Sequence, residues 1–150
     1  MIGVLDSVDL RILRMLARDS RLTLKEIARE TGLSISGARR RVRRLQQIGV
    51  IEHYSVVINP KKCGAGLLSF IKVDVNPADI DRLVSKLERR SEVLEIHRVT
   101  GENSLLIKAR FENMDDMNAF IRDNLSSAEP VRGISTWLVM ETYRERPFVP

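Results

Sequence analysis

Five arginines stand within six positions, at Arg39, Arg40, Arg41, Arg43 and Arg44. A guanidinium offers a planar fork of donors that pairs bidentately with a phosphate or with the major-groove edge of guanine. A charge run is more often a solvated helix face, so the elements around it must decide. At about 100° per residue, Ile35, Ala38, Val42 and Leu45 fall on one side of a helix. Ser36, Arg40, Arg43 and Gln47 fall opposite, Arg39 and Arg44 flank them, and Arg41 lies nearer the apolar edge. The other reactive side chains are sparse. His53 and His97 are isolated and read as packing or solvent-facing. Cys63 has only Lys61 and Lys62 nearby to depress its pKa. Two histidines and one cysteine argue against a Cys/His metal site.

Two helices must hold that arginine run. Asp6 caps a first helix, with Asp9 three residues on as in a capping box. Val8, Ile12, Met15 and Leu16 recur at helical spacing, with Arg11, Arg14 and Arg18 outside. Thr23 and Glu26 form an S/T-x-x-E capping box for a second helix, which ends at Thr31-Gly32. Ser34 caps a third helix only two residues later, running to Gly49. Two helices joined by so short a glycine-containing turn read as helix-turn-helix, which lays the start of its second helix against base edges. Ser36, Gly37, Arg39 and Arg40 are therefore the base-side candidates. Arg43 and Arg44 lie further along and suit the backbone. Ser34 stands at the helix start, and the amides near Thr23 and Lys25 face a phosphate.

The charge distribution agrees. The net charge of the 150 residues is +5. Residues 1–60 hold 11 basic and 6 acidic side chains, whereas residues 61–150 hold 14 of each. Confinement of the excess to the first part points to a polyanion there and to two domains. One cysteine forms no intramolecular disulfide, which favours a reducing compartment, the cytoplasm. Acidic residues come too early for a signal peptide, and no apolar run reaches about 18 residues.

Residues 50–58 are rich in β-branched types and read as extended, a short wing and then an arm. The turn-rich stretch 59–66 completes a linker. The expected boundaries are a helix-turn-helix domain over 1–54, an arm and linker over 55–66, and a second domain over 67–150. In the second domain Leu67–Val75 reads as a strand, and Asn76 caps a helix that has Pro77 at its first position. Ile80, Leu83, Val84 and Leu87 are that helix's buried stripe. Strands follow over 93–100 and 105–111. Asn113 caps a helix with Met117, Phe120, Ile121 and Leu125 inward, and Ile134–Tyr143 is the last strand. The order βαββαβ is the ferredoxin-like unit, so the fold class is α+β: a winged helix-turn-helix domain, then a ferredoxin-like domain. Both helices cover one sheet face. The other face carries Leu68, Phe70 or Trp137, depending on register, with charges such as Lys72. An exposed apolar patch on a small domain favours a homodimer.

The chain resembles the Lrp/AsnC, or feast/famine, transcription regulators. The resemblance is carried by Leu5, Asp6 and Asp9, by Ile12, Leu13 and Leu16, and by Asp19 and Arg21. It continues through Glu26–Ala28, Thr31–Ser34, Arg41, Val42, Arg44 and Leu45, and Gly49–Ile51. Thr100-Gly101 and the spacing of Val131 and Thr136 extend it over essentially the whole chain. It implies a DNA-binding regulator of double-stranded DNA, without cofactor or catalytic residue. It also implies dimers that assemble to octamers or similar, and an amino-acid effector held by the second domain. The effector residues it implies are Gly101, Glu102, Asn103, Ser104 and Thr136.

Family members that bind amino acids commonly carry G-x-x-D where this chain has Ser104, and a glycine where it has Pro130. Serine supplies no charge for an ammonium group. Either Glu102 substitutes, the effector is not a simple amino acid, or there is none and residues 101–104 are a hairpin turn. Two further readings share the architecture. Haem-pathway decarboxylases resemble the family in both domains, but they need histidines and an aromatic, basic cluster where residues 95–106 read EIHRVTGENSLL. A general DNA-compacting protein would use the same basic helix without sequence preference.

Overall fold

The computed structural model describes residues 5–100, 104–126, 131–146 and 148–150. The chain divides into two compact units, residues 1–57 with 144–150, and residues 58–143. The C-terminal segment thus groups with the helical unit rather than with the sheet, and Arg14 Nε donates to the Pro150 carbonyl at 2.7 Å.

The first unit is built from α1 (Ser7–Arg18), α2 (Leu24–Thr31) and α3 (Ile35–Gln47). Each start is fixed by the expected side chain. The Asp9 amide donates to Asp6 Oδ1 at 2.8 Å, and the Asp6 amide donates back to Asp9 Oδ2 at 3.3 Å. Thr23 and Glu26 close the same reciprocal box on α2. The Gly37 amide donates to Ser34 Oγ at 3.0 Å on α3. Gly32, at φ +69°, stops α2 in the left-handed region that disfavours a side chain, which lets α3 begin almost at once. Ile12, Leu13, Ile27, Ala28, Ala38 and Leu45 form the core, with Val42 and Leu16 packed at its edge. Each large side chain buried there contributes about 1.5–3 kcal/mol.

Two local expectations are corrected here. Ile35, placed on the buried stripe by the wheel, is 48% exposed because it lies in the first turn, beyond the reach of the core. Residues 50–58 form no strand pairing among the described residues. The Val50 and Ile51 amides instead donate to the Leu45 carbonyl and finish α3, and Val56, Val57 and Ile58 stay exposed. Propensity for a strand makes a ladder only where a partner strand is offered.

The second unit runs β1 (Leu67–Val75), α4 (Ile80–Leu87), β2 (Val93–Val99), β3 (Ser104–Phe111), α5 (Met114–Ile121) and β4 (Val131–Leu138). Its four strands are antiparallel in the order β2-β3-β1-β4, the expected βαββαβ topology. Ile71, Val73, Val75, Leu105, Ile107 and Ala109 pack under Leu83, Leu87, Met117, Phe120 and Leu125. Asn76 makes no capping hydrogen bond. A 3-10 turn over Pro77–Asp79 intervenes, so α4 starts beyond the asparagine's reach.

The register settles the composition of the uncovered sheet face. Trp137 stands opposite Phe70, and Leu68, Phe70, Lys72 and Asp74 alternate along β1 on that side. Trp137 is 52% exposed and Phe70 is half-buried. Beside them, Lys108 donates to Glu95 Oε1 at 3.0 Å, and His97 Nε2 lies 3.1 Å from Glu95 Oε2.

Candidate nucleic-acid interface and effector region

α3 presents Ser36, Arg39, Arg40 and Arg43 to solvent. Among the described residues, no ion pair engages these three arginines. Lys25 at the start of α2 is exposed as well. The Glu26 and Ile27 amides bond to Thr23, and the Thr23 amide donates to Glu26 Oε2 at 2.7 Å. The unsatisfied amides at that helix end are therefore those of Leu24 and Lys25, not that of Thr23. Ser34 Oγ is engaged by the Gly37 amide and lies 3.0 Å from Ser36 Oγ.

Two of the residues expected to meet DNA have partners within the helical unit. Gly37 is buried: a Cβ there would meet Ser34 Oγ at 3.1 Å and Leu33 Cβ at 3.7 Å. It packs against the turn before α3. Arg44 Nη1 lies 3.0 Å from Asp9 Oδ2. Arg41 Nη1 lies 2.9 Å from Asp9 Oδ1 and 2.6 Å from Asp6 Oδ2. The Asp9 side chain is 1% exposed. The Asp9 amide and then the Arg41 guanidinium hold the Asp6 carboxyl below the usual range, and Arg41 is raised in turn by Asp6 first and Asp9 second.

A wheel of apolar residues misses this. Gly37, Arg41 and Arg44 share one side of α3, within about 60° of one another. The buried arc is turned toward that side by a carboxylate, not by a hydrophobe. The signal was present in α1, where Asp9 falls on the same stripe as Ile12, Leu13 and Leu16. An acidic residue on an apolar stripe asks for a cation from the opposite helix.

In the sheet unit, Gly101, Glu102 and Asn103 lie outside the described residues. Ser104 opens β3, fully buried, and donates to Asp74 Oδ1 at 2.6 Å. Lys72 Nζ lies 3.3 Å from the same oxygen. The Ser104 hydroxyl and then Lys72 hold the Asp74 carboxyl below its ordinary pKa. Thr136 is opposite Ile71, so it lies on the helix-covered side of the sheet and not with Ser104 and Asp74. Among the described residues no group of His, Cys, Asp and Glu is arranged for a metal, and no helix is long and apolar enough to cross a membrane. A groove of about 460 Å³ opens at the other end of β3, beside Phe111, Cys63 and Asn124.

The family model described as winged helix-turn-helix DNA-binding matches residues 5–52, and that of the Lrp/AsnC ligand binding domain matches residues 68–149. The chain belongs to the Lrp/AsnC family of transcriptional regulators. Within this Lrp/AsnC chain, the first match covers all three helices and the second covers the sheet. HTH-type transcriptional regulator FL11 of Pyrococcus furiosus is 33% identical over 148 residues, 99% of this chain and 97% of its own. HTH-type transcriptional regulator Ptr1 of Methanocaldococcus jannaschii is 29% identical, over 98% of this chain and 99% of its own. Among solved structures, a Neisseria meningitidis transcriptional regulator in complex with L-Met superposes with a TM-score of 0.91 at 28% identity, covering 98% of this chain and 97% of that one. AsnC of E. coli gives 0.91 at 25% identity, over 98% and 99%. The Lrp/AsnC protein is thus a DNA-binding transcriptional regulator with a ligand-binding type of second domain. The relatives compared are regulators by name, not decarboxylases.

Proposed function

We propose that this regulator binds specific DNA sequences as a homodimer, reads bases with Ser36, Arg39 and Arg40, and grips the backbone with Arg43. The carrying observation is the exposed arc of α3, which holds those residues in a row with no carboxylate paired to them among the described residues. Two α3 helices of a dimer reach successive major grooves when they stand about 34–36 Å apart, which predicts roughly palindromic sites. The uncovered sheet face, where Phe70 of β1 stands opposite Trp137 of the edge strand β4, supports a second copy as its cover. Assembly beyond the dimer, as far as an octamer, would bend or wrap the duplex. The domain boundaries proposed are 1–54, 55–66 and 67–150, with residues 144–150 returning to the helical unit. The protein is read as non-catalytic and at work in the cytoplasm, where its DNA lies.

We further propose that an amino-acid effector meets Asp74. This carboxylate stands directly opposite Ser104, so the negative charge missing at 104 is supplied one strand away. A ligand that prefers one assembly shifts the population toward it, and only by its difference in affinity.

The deciding experiment is selection of bound fragments from the source genome, with and without a panel of amino acids, followed by titration across salt. Discrete palindromic sites and steep salt dependence are expected. Uniform coating would assign the protein to DNA compaction, and binding indifferent to salt would remove the arginine face from the mechanism.

A further inference from the structure

We propose that Asp9 is the positioning residue of the DNA-reading helix. The inference rests on the reading above that α3 faces the duplex. The Asp9 carboxylate is 1% exposed, and its two oxygens take two different arginines of α3. Arg41 and Arg44 are three residues apart, so the two pairs grip α3 at two heights along one side. One pair alone would let the helix pivot, whereas two set both its rotation and its slide against α1. A turn of about 100° about its axis moves each residue into its neighbour's place, which would take Arg39, Arg40 and Arg43 off the outward arc. Apolar contacts with Ala38 and Leu45 are tolerant of small rotations. A buried carboxylate is not, because no water replaces a lost partner.

The same pairing engages two of the five charges, each through one guanidinium nitrogen on Asp9, while the Arg44 side chain stays 42% exposed. Of the five arginines, Arg41 and Arg44 point toward α1, and Arg39, Arg40 and Arg43 remain for the duplex. Arg44 is then an anchor that acts through Asp9, and its loss alters where the other arginines stand without removing a phosphate contact.

The test uses the full chain. It is titrated onto a duplex carrying a selected site and onto a random duplex of equal length, over about 0.05–0.2 M salt. Each phosphate contact contributes about 0.9 to the slope of log K against log salt. Arg43→Ala is expected to flatten the slope by about that amount per protomer. Arg44→Ala is expected to leave the slope unchanged and to lower the ratio of selected-site to random-duplex affinity about tenfold, the worth of one good base contact. Arg44→Lys, which still reaches Asp9 with a cation, is expected to restore most of the ratio. Asp9→Asn, which keeps an oxygen for the Asp6 amide, is expected to lower the ratio as Arg44→Ala does. If Asp9→Asn does not fold, the two Arg44 variants carry the test. A slope flattened by Arg44→Ala would show that Arg44 holds a phosphate and overturn the proposal. So would an unchanged ratio in the Arg44→Ala protein. If the wild-type protein binds but Arg40→Ala and Arg43→Ala change neither slope nor ratio, the reading that α3 meets DNA fails instead.

Discussion

Ser104 donates to the Asp74 carboxylate at 2.6 Å from directly across the β1–β3 pair. Gly133 flanks the same carboxylate on β4, where an added Cβ would stand 3.1 Å from Asp74 Oδ2. The acid is therefore placed by both neighbours, a hydroxyl on one side and a missing side chain on the other. Asp74→Asn is expected to lower amino-acid affinity at least about tenfold in calorimetry, because it removes a charge-assisted bond. Ser104→Ala is expected to weaken it less, since the charge remains. Equal losses in the two variants would mean that Asp74 does not meet the ligand.

Arg40→Ala is expected to relax base preference, seen as a broader set of selected fragments. Arg43→Ala is expected to weaken all sites similarly. A uniform loss in both variants would erase the division between base and backbone roles.

Leu45 is fully buried among the three helices, whereas Val57 is 88% exposed. Leu45→Ala is expected to cost about 2–5 kcal/mol in denaturant unfolding followed by circular dichroism. Val57→Ala is expected to stay within about 0.5 kcal/mol. A large effect at Val57 would reveal a cover for the arm.

The Asp9 amide and then the Arg41 guanidinium hold the Asp6 carboxyl below the ordinary carboxylate pKa, so its contribution to stability is present above that range and fades as acid protonates it. Asp6→Asn keeps an acceptor for the Asp9 amide and loses the ion pair with Arg41. Its thermal midpoint should lie below that of the wild type at neutral pH, and the gap should close as pH falls through about 4 toward 3. A gap that persists undiminished at pH 3 would mean the charge is not its source.

Trp137→Asp places a charge on the uncovered sheet face, beside Phe70 on the edge strand β4. Sedimentation should show the mutant as a smaller species than the wild type at the same concentration, with the far-UV spectrum preserved. Unchanged mass would move the dimer contact off this face.

Much of the fold was legible because local signals agreed with the tertiary ones. Asp6, Thr23 and Ser34 cap helices where their types and spacing say so, and Ile80, Leu83 and Leu87 are buried as their period requires. The failures share a cause. Asn76 has the right type for a cap, but Pro77 begins a 3-10 turn. Val56 and Val57 have the right type for a strand, but no partner strand is present among the described residues. Arg44 reads as unpaired on its own helix, and only α1, 35 residues earlier, shows its carboxylate. Pairings across such distances are invisible to periodicity within one element. Ser104 was singled out for what it lacks, and its register partner Asp74 became visible only when the strands were paired.

The inward turn of Arg41 and Arg44 also bears on how the protein finds its target. At about 0.15 M salt, each phosphate contact is worth roughly fivefold in hold on any sequence. On the proposal that Arg41 and Arg44 hold Asp9 and no phosphate, withholding two per protomer would shorten the time spent on every wrong stretch of DNA. The three exposed guanidiniums, Arg39, Arg40 and Arg43, would then act where sequence can reward them. A helix that looks, by composition, built to cling would thereby be suited to letting go.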